Sequence, residues 1–360
     1  MGKKLYPTML RYHYNQISDQ PFQEFPYEID IIAVDLYVPW ALDLSPDGNI
    51  YFTERDGNVR KIQNGMPLDQ PLITLPPPFS SQGEGGLMGI ALDPDFSQNH
   101  YLYIMYTYIE SNEIFNRVAR LVEENNKATL DQVILDRIPG GRIHNGGRIK
   151  IGPDQKLYIT TGDAGNPSLA QDLSSLAGKI LRINLDGSIP EDNPFIDSPI
   201  YSYGHRNPQG LTWSDKGILY STEHGQTAHD EVNIIFPGAN YGWPLVGGYD
   251  VLNDLQIQRP LIQSGDVTWA PSGIAYINQG PWAGKLLIAC LRGEQLLLLS
   301  LDENGTSVTA VEPLLENEYG RLREVVQWID GSVYVTTSNM DGRGILRPGD
   351  DKILGFTPKL

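Results

Sequence analysis

The sequence predicts an all-β fold: a six-bladed β-propeller with four-stranded antiparallel blades and long loops on the face that carries the site. Three observations lead there: a segment repeated six times, an absence of sustained helical periodicity, and an abundance of turn residues. The repeats are ALDLSPDGNIYFTER (41–55), GIALDPDFSQNHYLYIMYT (89–107), RIKIGPDQKLYITTGD (148–163), GLTWSDKGILYSTEHG (210–225), GIAYINQGPWAGKLLIACLRG (273–293) and EVVQWIDGSVYVTTSN (324–339). Each reads as an apolar strand, a turn usually built on Pro-Asp-Gly or Asp-Gly, and a second strand rich in Ile, Tyr, Val and Thr, the pattern of a β-hairpin. Helical periodicity is confined to stretches such as SLAQDLSSLAG (168–178), which argues against alternating β and α units. With 37 Gly and 26 Pro the chain is rich in tight turns. Radial repetition leaves few sheet edges open, so six such units suit a propeller; two stacked β-sandwiches are the alternative. IDIIAVDL (29–36) and KILGFTP (352–358) are expected to share a blade and close the ring. Residues 30–360 then form the propeller, and 1–29 an N-terminal extension with no role assigned by any motif.

At 360 residues and 40% hydrophobic content the chain can bury a large core, and disorder as the main state is excluded. Its 44 acidic against 27 basic residues give a formal charge of −17, which repels nucleic acid and anionic membranes. The single cysteine, Cys290 in LLIACL, allows neither an intrachain disulfide nor a cysteine metal cluster. No apolar stretch reaches the roughly 18 residues of a membrane helix. The opening residues hold two lysines without a hydrophobic run behind them, so the expectation is a cytoplasmic chain or one whose signal segment has been removed.

Hairpin register predicts which residues meet at the ends of the strands. The turn flanked by Pro153 and Lys156 places His144 opposite Asp163; the other turns place Arg206 opposite Gly225, Arg323 opposite Ser338, Trp40 opposite Arg55 and Ser272 opposite Arg292. In a propeller these ends share one face, at the mouth of the central channel. That face would collect Trp40, Glu84, His144 with Asp163, Arg206 with Asn207, Arg292, and Arg321 with Arg323. Four arginines in a chain so acidic make a basin for a small, multiply charged anion, unless each is a solvated rim residue or an interblade ion pair. His144 lies in GRIHNGGR, where glycines let a ligand approach, and the opposing carboxylate would fix its tautomer and raise its basicity. G-x-S-x-G, HExxH, Walker A and the Rossmann glycine pattern do not occur. In STEHGQTAHDEVNIIFPGANYGWP (221–244) the carbonyls around Gly225 and Gln226 and the carboxylates of Asp230 and Glu231 offer the hard oxygens calcium prefers. The same composition also suits an acidic loop that holds no metal.

The stretches VPWALDLSPDGNIYFTERDGNVRKI, GEGGLMGIALDPDF, GGRIHNGGRIKIGPDQKLYITTGD, YGHRNPQGLTW, DEVNIIFPGANYGWP, YGRLREVV and DGRGILRPGDDKIL resemble the quinoprotein sugar dehydrogenases, in particular the soluble aldose sugar dehydrogenases of the glucose/sorbosone dehydrogenase group. The resemblance spans about residues 31–355. It implies a six-bladed propeller that binds pyrroloquinoline quinone (PQQ) and calcium and oxidises aldoses at C1 to lactones. Carried over by position, it implies His144 as the base, Asp163 as the carboxylate orienting it, and Arg206 with Asn207 at the reactive quinone carbonyls. Arg321 and Arg323 would hold cofactor carboxylates, Arg292 stands where many relatives carry lysine, and Glu84 occupies a cofactor-contacting position that is glutamine in some members. The carbonyls of Gly225 and Gln226 would hold the cofactor's calcium, with Glu231 and the Tyr241 carbonyl at a second calcium site. Relatives are exported, which implies a periplasmic or secreted protein; the missing leader is the chief departure. The resemblance leaves the preferred aldose, the electron acceptor and the choice between monomer and dimer open. A calcium-dependent propeller lactonase and a non-catalytic binding propeller are the rival readings.

Overall fold

The computed structural model describes residues 24–249 and 256–359, and in them six antiparallel sheets succeed one another along the chain. Each sequence repeat folds into the first two strands of one sheet. Blade 1 is Pro39–Leu44, Ile50–Glu54, Asn58–Gln63 and Met66–Pro67, with a short fifth strand, Ile73–Thr74, against the third. Blade 2 has the long strands Tyr101–Glu110, Glu113–Glu124 and Lys127–Pro139 outside Leu87–Leu92. Blades 3, 4 and 5 open with Ile149–Ile151, Pro208–Trp213 and Pro271–Ile277, each followed by three further strands. Blade 6 joins Leu322–Gln327, Val333–Thr337 and Ile353–Pro358 to a fourth strand from the other end of the chain, Tyr27–Ala33. That pairing closes the ring as the sequence predicts, although the strand begins three residues before position 30, the boundary drawn from sequence. Of the extension expected over 1–29, residues 1–23 lie outside the described residues.

The first strands touch their neighbours in ring order, so they line the channel. Five of the six carry a register irregularity at their start, between Pro39 and Ala41, Leu87 and Ile90, Pro208 and Gly210, Pro271 and Ile274, and Leu322 and Glu324. Such bulges re-aim side chains at a strand end, which is where the site lies. The middle strands are almost wholly buried, as in Leu157–Thr161 and Leu219–Glu223, because neighbouring blades cover both of their faces. Across the channel, Arg148 of blade 3 forms an ion pair with Glu324 of the opposite blade 6; each side chain is 1% exposed. The helical reading of 168–178 shrinks to one 3-10 turn, Pro167–Ala170, because Asp172, Ser174 and Ser175 form side-chain-bonded turns instead. Among the described residues no helix is long and apolar enough to cross a membrane.

Candidate active site

His144 and Asp163 are brought together as the hairpin register predicts. The His144 Nδ1 and Asp163 Oδ1 are 2.7 Å apart, and the imidazole keeps 14% of its side-chain surface exposed while the carboxylate keeps none. His144 has a left-handed φ of 57°, an uncommon conformation for a residue with a Cβ. The glycines around it make that turn feasible. A Cβ on Gly162 would lie 2.0 Å from the His144 carbonyl oxygen, so only hydrogen fits there. The His144 amide donates to Glu84 Oε2 at 3.0 Å, and Glu84 Oε1 accepts from Arg343 Nη2 at 2.7 Å. Asp163 also accepts from the Gly165 amide at 2.8 Å and the Trp243 indole N–H at 2.8 Å. Burial works to raise its pKa, but the donors, His144 foremost, outweigh it and hold the carboxyl below the usual carboxylate range.

A cavity of about 330 Å³ opens beside this pair, lined by Ile143, Asn145 and Gly146 from the loop that carries His144. Its wall also holds five arginines, Arg55, Arg142, Arg321, Arg323 and Arg343, against two carboxylates, Glu84 and Asp341. The surplus is positive, in a chain whose net charge is −17. Arg321 donates twice to Asp341 Oδ2, at 2.9 and 2.8 Å, and Arg323 donates to the same oxygen at 3.4 Å and to Ser338 Oγ at 2.9 Å. Burial holds the Arg323 guanidinium down to about 10, helped by the neighbouring arginines. Trp40 forms part of the wall between two cations, with the Arg148 guanidinium 4.4 Å and that of Arg323 5.6 Å from its ring.

A second cleft of about 540 Å³ adjoins the first at His224, which lines both. Arg206 and Trp243 stand on its wall, with the guanidinium 5.4 Å from the indole. The amides of Arg206 and Asn207 both donate to Glu223 Oε1, and Glu223 Oε2 is 2.8 Å from His205 Nδ1, so a buried carboxylate fixes the backbone of that pair. Asn207 Oδ1 accepts from the Gly146 amide at 3.0 Å, tying this loop to the His144 loop. His224 Nε2, Arg206 Nε and Arg55 Nε are buried and find no hydrogen-bond partner among the described residues. Burial holds the His224 ring down to about 4, so it is neutral near pH 7.

The expected calcium loop follows His224. The carbonyls of Gly225 and Gln226 accept no hydrogen bond from the described residues, which suits them to a ligand. Asp230 is used differently from its composition-based reading: its carboxylate accepts the amides of Gly225, Trp269 and Ala270 at 2.7–2.9 Å and shapes the loop. Glu231 accepts from the Gly248 amide at 2.8 Å and from Asn233 Nδ2 at 3.1 Å, and burial pushes it up to about 8, helped by the nearby Glu223. Tyr241 is buried, its hydroxyl bonded to the Ile234 carbonyl at 2.6 Å. Among the described residues no three His, Cys, Asp or Glu side chains gather around one point, so a cation here would depend on backbone oxygens.

Of the arginines singled out from sequence, Arg321 and Arg323 line the basin and Arg206 the adjoining cleft. Arg292 joins neither lining. It is exposed on the turn after Lys285–Cys290, while its buried neighbour Leu291 faces the cavity. Sequence reading missed Asp341, Arg343, Arg142, His224 and Trp243 as parts of the walls, while Arg55 lies on the wall beside Trp40 as the hairpin register predicts. A legible signal existed for His224 and Trp243, since both stand within the segment read as a calcium loop.

Residues 36–347 match the family model described as Glucose / Sorbosone dehydrogenase. The chain is 32% identical to the aldose sugar dehydrogenase YliI of Escherichia coli over 87% of its length and 91% of that protein. It is 36% identical to the quinoprotein glucose dehydrogenase B of Acinetobacter calcoaceticus, over 74% of this chain and 64% of that one. A solved structure of the PQQ-bound aldose sugar dehydrogenase of Streptomyces coelicolor superimposes with a TM-score of 0.84 at 39% identity, covering 92% of this chain and 98% of the other. A matched model spanning most of the propeller, together with a relative aligned along nearly its whole length, places the chain in the glucose/sorbosone dehydrogenase family of sugar oxidoreductases.

Proposed function

We propose that this protein is a quinoprotein that oxidises aldose sugars at C1 to lactones, with PQQ held in the arginine-lined cavity and calcium at the Gly225–Gln226 carbonyls. The observation that carries the reading is the His144–Asp163 pair: the residues on either side of His144 line a cationic basin, and Trp243, bonded to Asp163, lines the adjoining cleft. The donor set fits a tricarboxylate: the basin has a surplus of arginines, and Arg55 Nε and His224 Nε2 lack partners. The free carbonyls of Gly225 and Gln226 fit a calcium ion, and the buried Glu231 and Tyr241 carbonyl fit a second. PQQ supplies a two-electron acceptor for the hydride leaving C1 of the sugar.

The chain's own residues do the rest. Asp163 holds His144 in the tautomer with the proton on Nδ1, leaving Nε2 to accept the proton of the anomeric hydroxyl. As the C1–H electron pair departs as hydride and the O–H proton passes to Nε2, the C1–O bond becomes the lactone carbonyl. The buried Asp163 charge stabilises the imidazolium so formed. Arg206, half-buried on the cleft wall and held by Glu223 through its backbone, would supply a cation to stabilise negative charge on a bound acceptor. Asn207 is fixed beside it, and Arg321 and Arg323 would exchange Asp341 for the cofactor's carboxylates. Glu84 braces the His144 loop against Arg343. A lactonase would need side-chain carboxylates and amides free to hold a central metal, and both carboxylates of this basin are paired with arginines, Glu84 with Arg343 and Asp341 with Arg321 and Arg323.

The test is sugar-dependent dye reduction after addition of PQQ and calcium. His144→Ala should lower kcat by roughly a hundredfold or more, while an absorbance titration with PQQ stays close to wild type. Lost cofactor binding with activity retained would overturn the assignment.

A further inference from the structure

We infer that Trp243 is a positioning residue that sets His144 and Arg206 together; this rests on the reading above. Its indole N–H donates to Asp163 Oδ2 at 2.8 Å, and the other oxygen of that carboxylate faces His144 Nδ1 at 2.7 Å. Asp163 has no exposed surface, so no water substitutes for a donor lost there. The indole also stands 5.4 Å from the Arg206 guanidinium, whose Nε is buried without a hydrogen-bond partner. One ring therefore orients the carboxylate behind the base and packs against the cation proposed to meet the developing charge.

The ring is itself held rigidly through its backbone. The Trp243 amide donates to the Gly204 carbonyl at 2.9 Å, and its carbonyl accepts from Gln171 Nε2 at 2.7 Å. Gln171 and Asn240 bond reciprocally through their amide groups, both contacts at 2.9 Å. The segment carrying Trp243 is thus bolted to the loop after blade 3's second strand, the loop that carries Asp163. Groups such as this, which do not touch substrate, fix the tautomer and direction of those that do. The charged groups facing His144 are Asp163, Glu84 through the His144 amide, and Arg206 across Asp163.

Two variants separate the indole N–H from the ring. Trp243→Phe keeps a ring against Arg206 and removes the donor; Trp243→His restores an N–H. The first measurement uses the cofactor-free protein, so that it stands even if the sugar chemistry is wrong: NMR titration of the histidine rings, with His144 assigned by its loss in His144→Gln. With one donor fewer, the Asp163 charge acts more fully on His144, and the His144 pKa should rise in Trp243→Phe and return toward wild type in Trp243→His. In the PQQ-loaded enzyme Trp243→Phe should lower kcat by roughly tenfold with sugar KM and PQQ affinity little changed. The acid limb of the kcat/KM profile should move to higher pH with it. An unchanged or lowered His144 pKa in Trp243→Phe would overturn the inference, as would an activity loss that appears entirely in KM.

Discussion

Asp341 lies between two buried arginines, and replacing it exposes that arrangement to measurement. Its Oδ2 accepts from Arg321 Nε, Arg321 Nη2, Arg323 Nη2 and Ser338 Oγ, at 2.9, 2.8, 3.4 and 3.2 Å. The side chains of Asp341, Arg321 and Arg323 are 4%, 7% and 8% exposed, so water screens the pairing poorly. Removing one partner of such a pair costs about 3–5 kcal/mol; Asp341→Asn keeps an acceptor oxygen, so roughly 2–3 kcal/mol of that loss is expected. For a chain of this size each kcal/mol moves Tm by about 2 °C, which predicts a fall of roughly 4–6 °C in the cofactor-free protein. In the proposed PQQ- and calcium-loaded protein the cofactor's carboxylates would meet the same arginines, and the deficit should shrink. Differential scanning calorimetry of both proteins, with and without the cofactor, reads this directly. Burial opposes ionisation of Asp341, but Arg323 and Arg321 win and its folded pKa is lowered. Its stabilising effect is therefore fully present above the ordinary carboxylate pKa and lost as pH falls through the lower folded value. The gap between wild type and Asp341→Asn should close on acidification below pH ~4. Equal Tm deficits with and without cofactor would refute the idea that Asp341 and the ligand compete for these arginines.

Two further outcomes follow from the geometry. Gly162→Ala puts a Cβ 2.0 Å from the His144 carbonyl oxygen and 2.3 Å from its carbon. The His144 loop must move, and steady-state assays should show kcat falling by about a hundredfold, as a misplacement near 1 Å can cost; near-normal turnover would mean that the loop position is not critical. Glu324→Ala leaves the Arg148 charge buried in the channel and should cost about 3–5 kcal/mol in denaturant unfolding, whereas Arg148→Met combined with Glu324→Leu should recover most of it. A double variant as unstable as the single one would show that the channel needs the charges themselves.

What the sequence determined by itself was whatever depends on neighbours along the chain. Turn chemistry and two-residue alternation set each hairpin, and a register counted from Pro153 and Lys156 was enough to pair His144 with Asp163. The count of blades and the closure by the two chain ends follow from repeating that unit. The bulges at the strand starts were not legible, because an extra residue in a strand is decided by which blade packs beside it. Arg292 shows the same limit: two residues beyond the buried end of a strand, the turn carries its side chain out while Leu291 turns in. The wall around the pair was decided in three dimensions. Asp341, Arg343 and Trp243 come from loops outside the repeated segments, and the 80 residues between Asp163 and Trp243 disappear only when adjacent blades pack together. Local backbone preference fixes which hairpins form, but contact between loops of different blades is bought by burying the faces between them, and no spacing in one dimension encodes which side chains then converge.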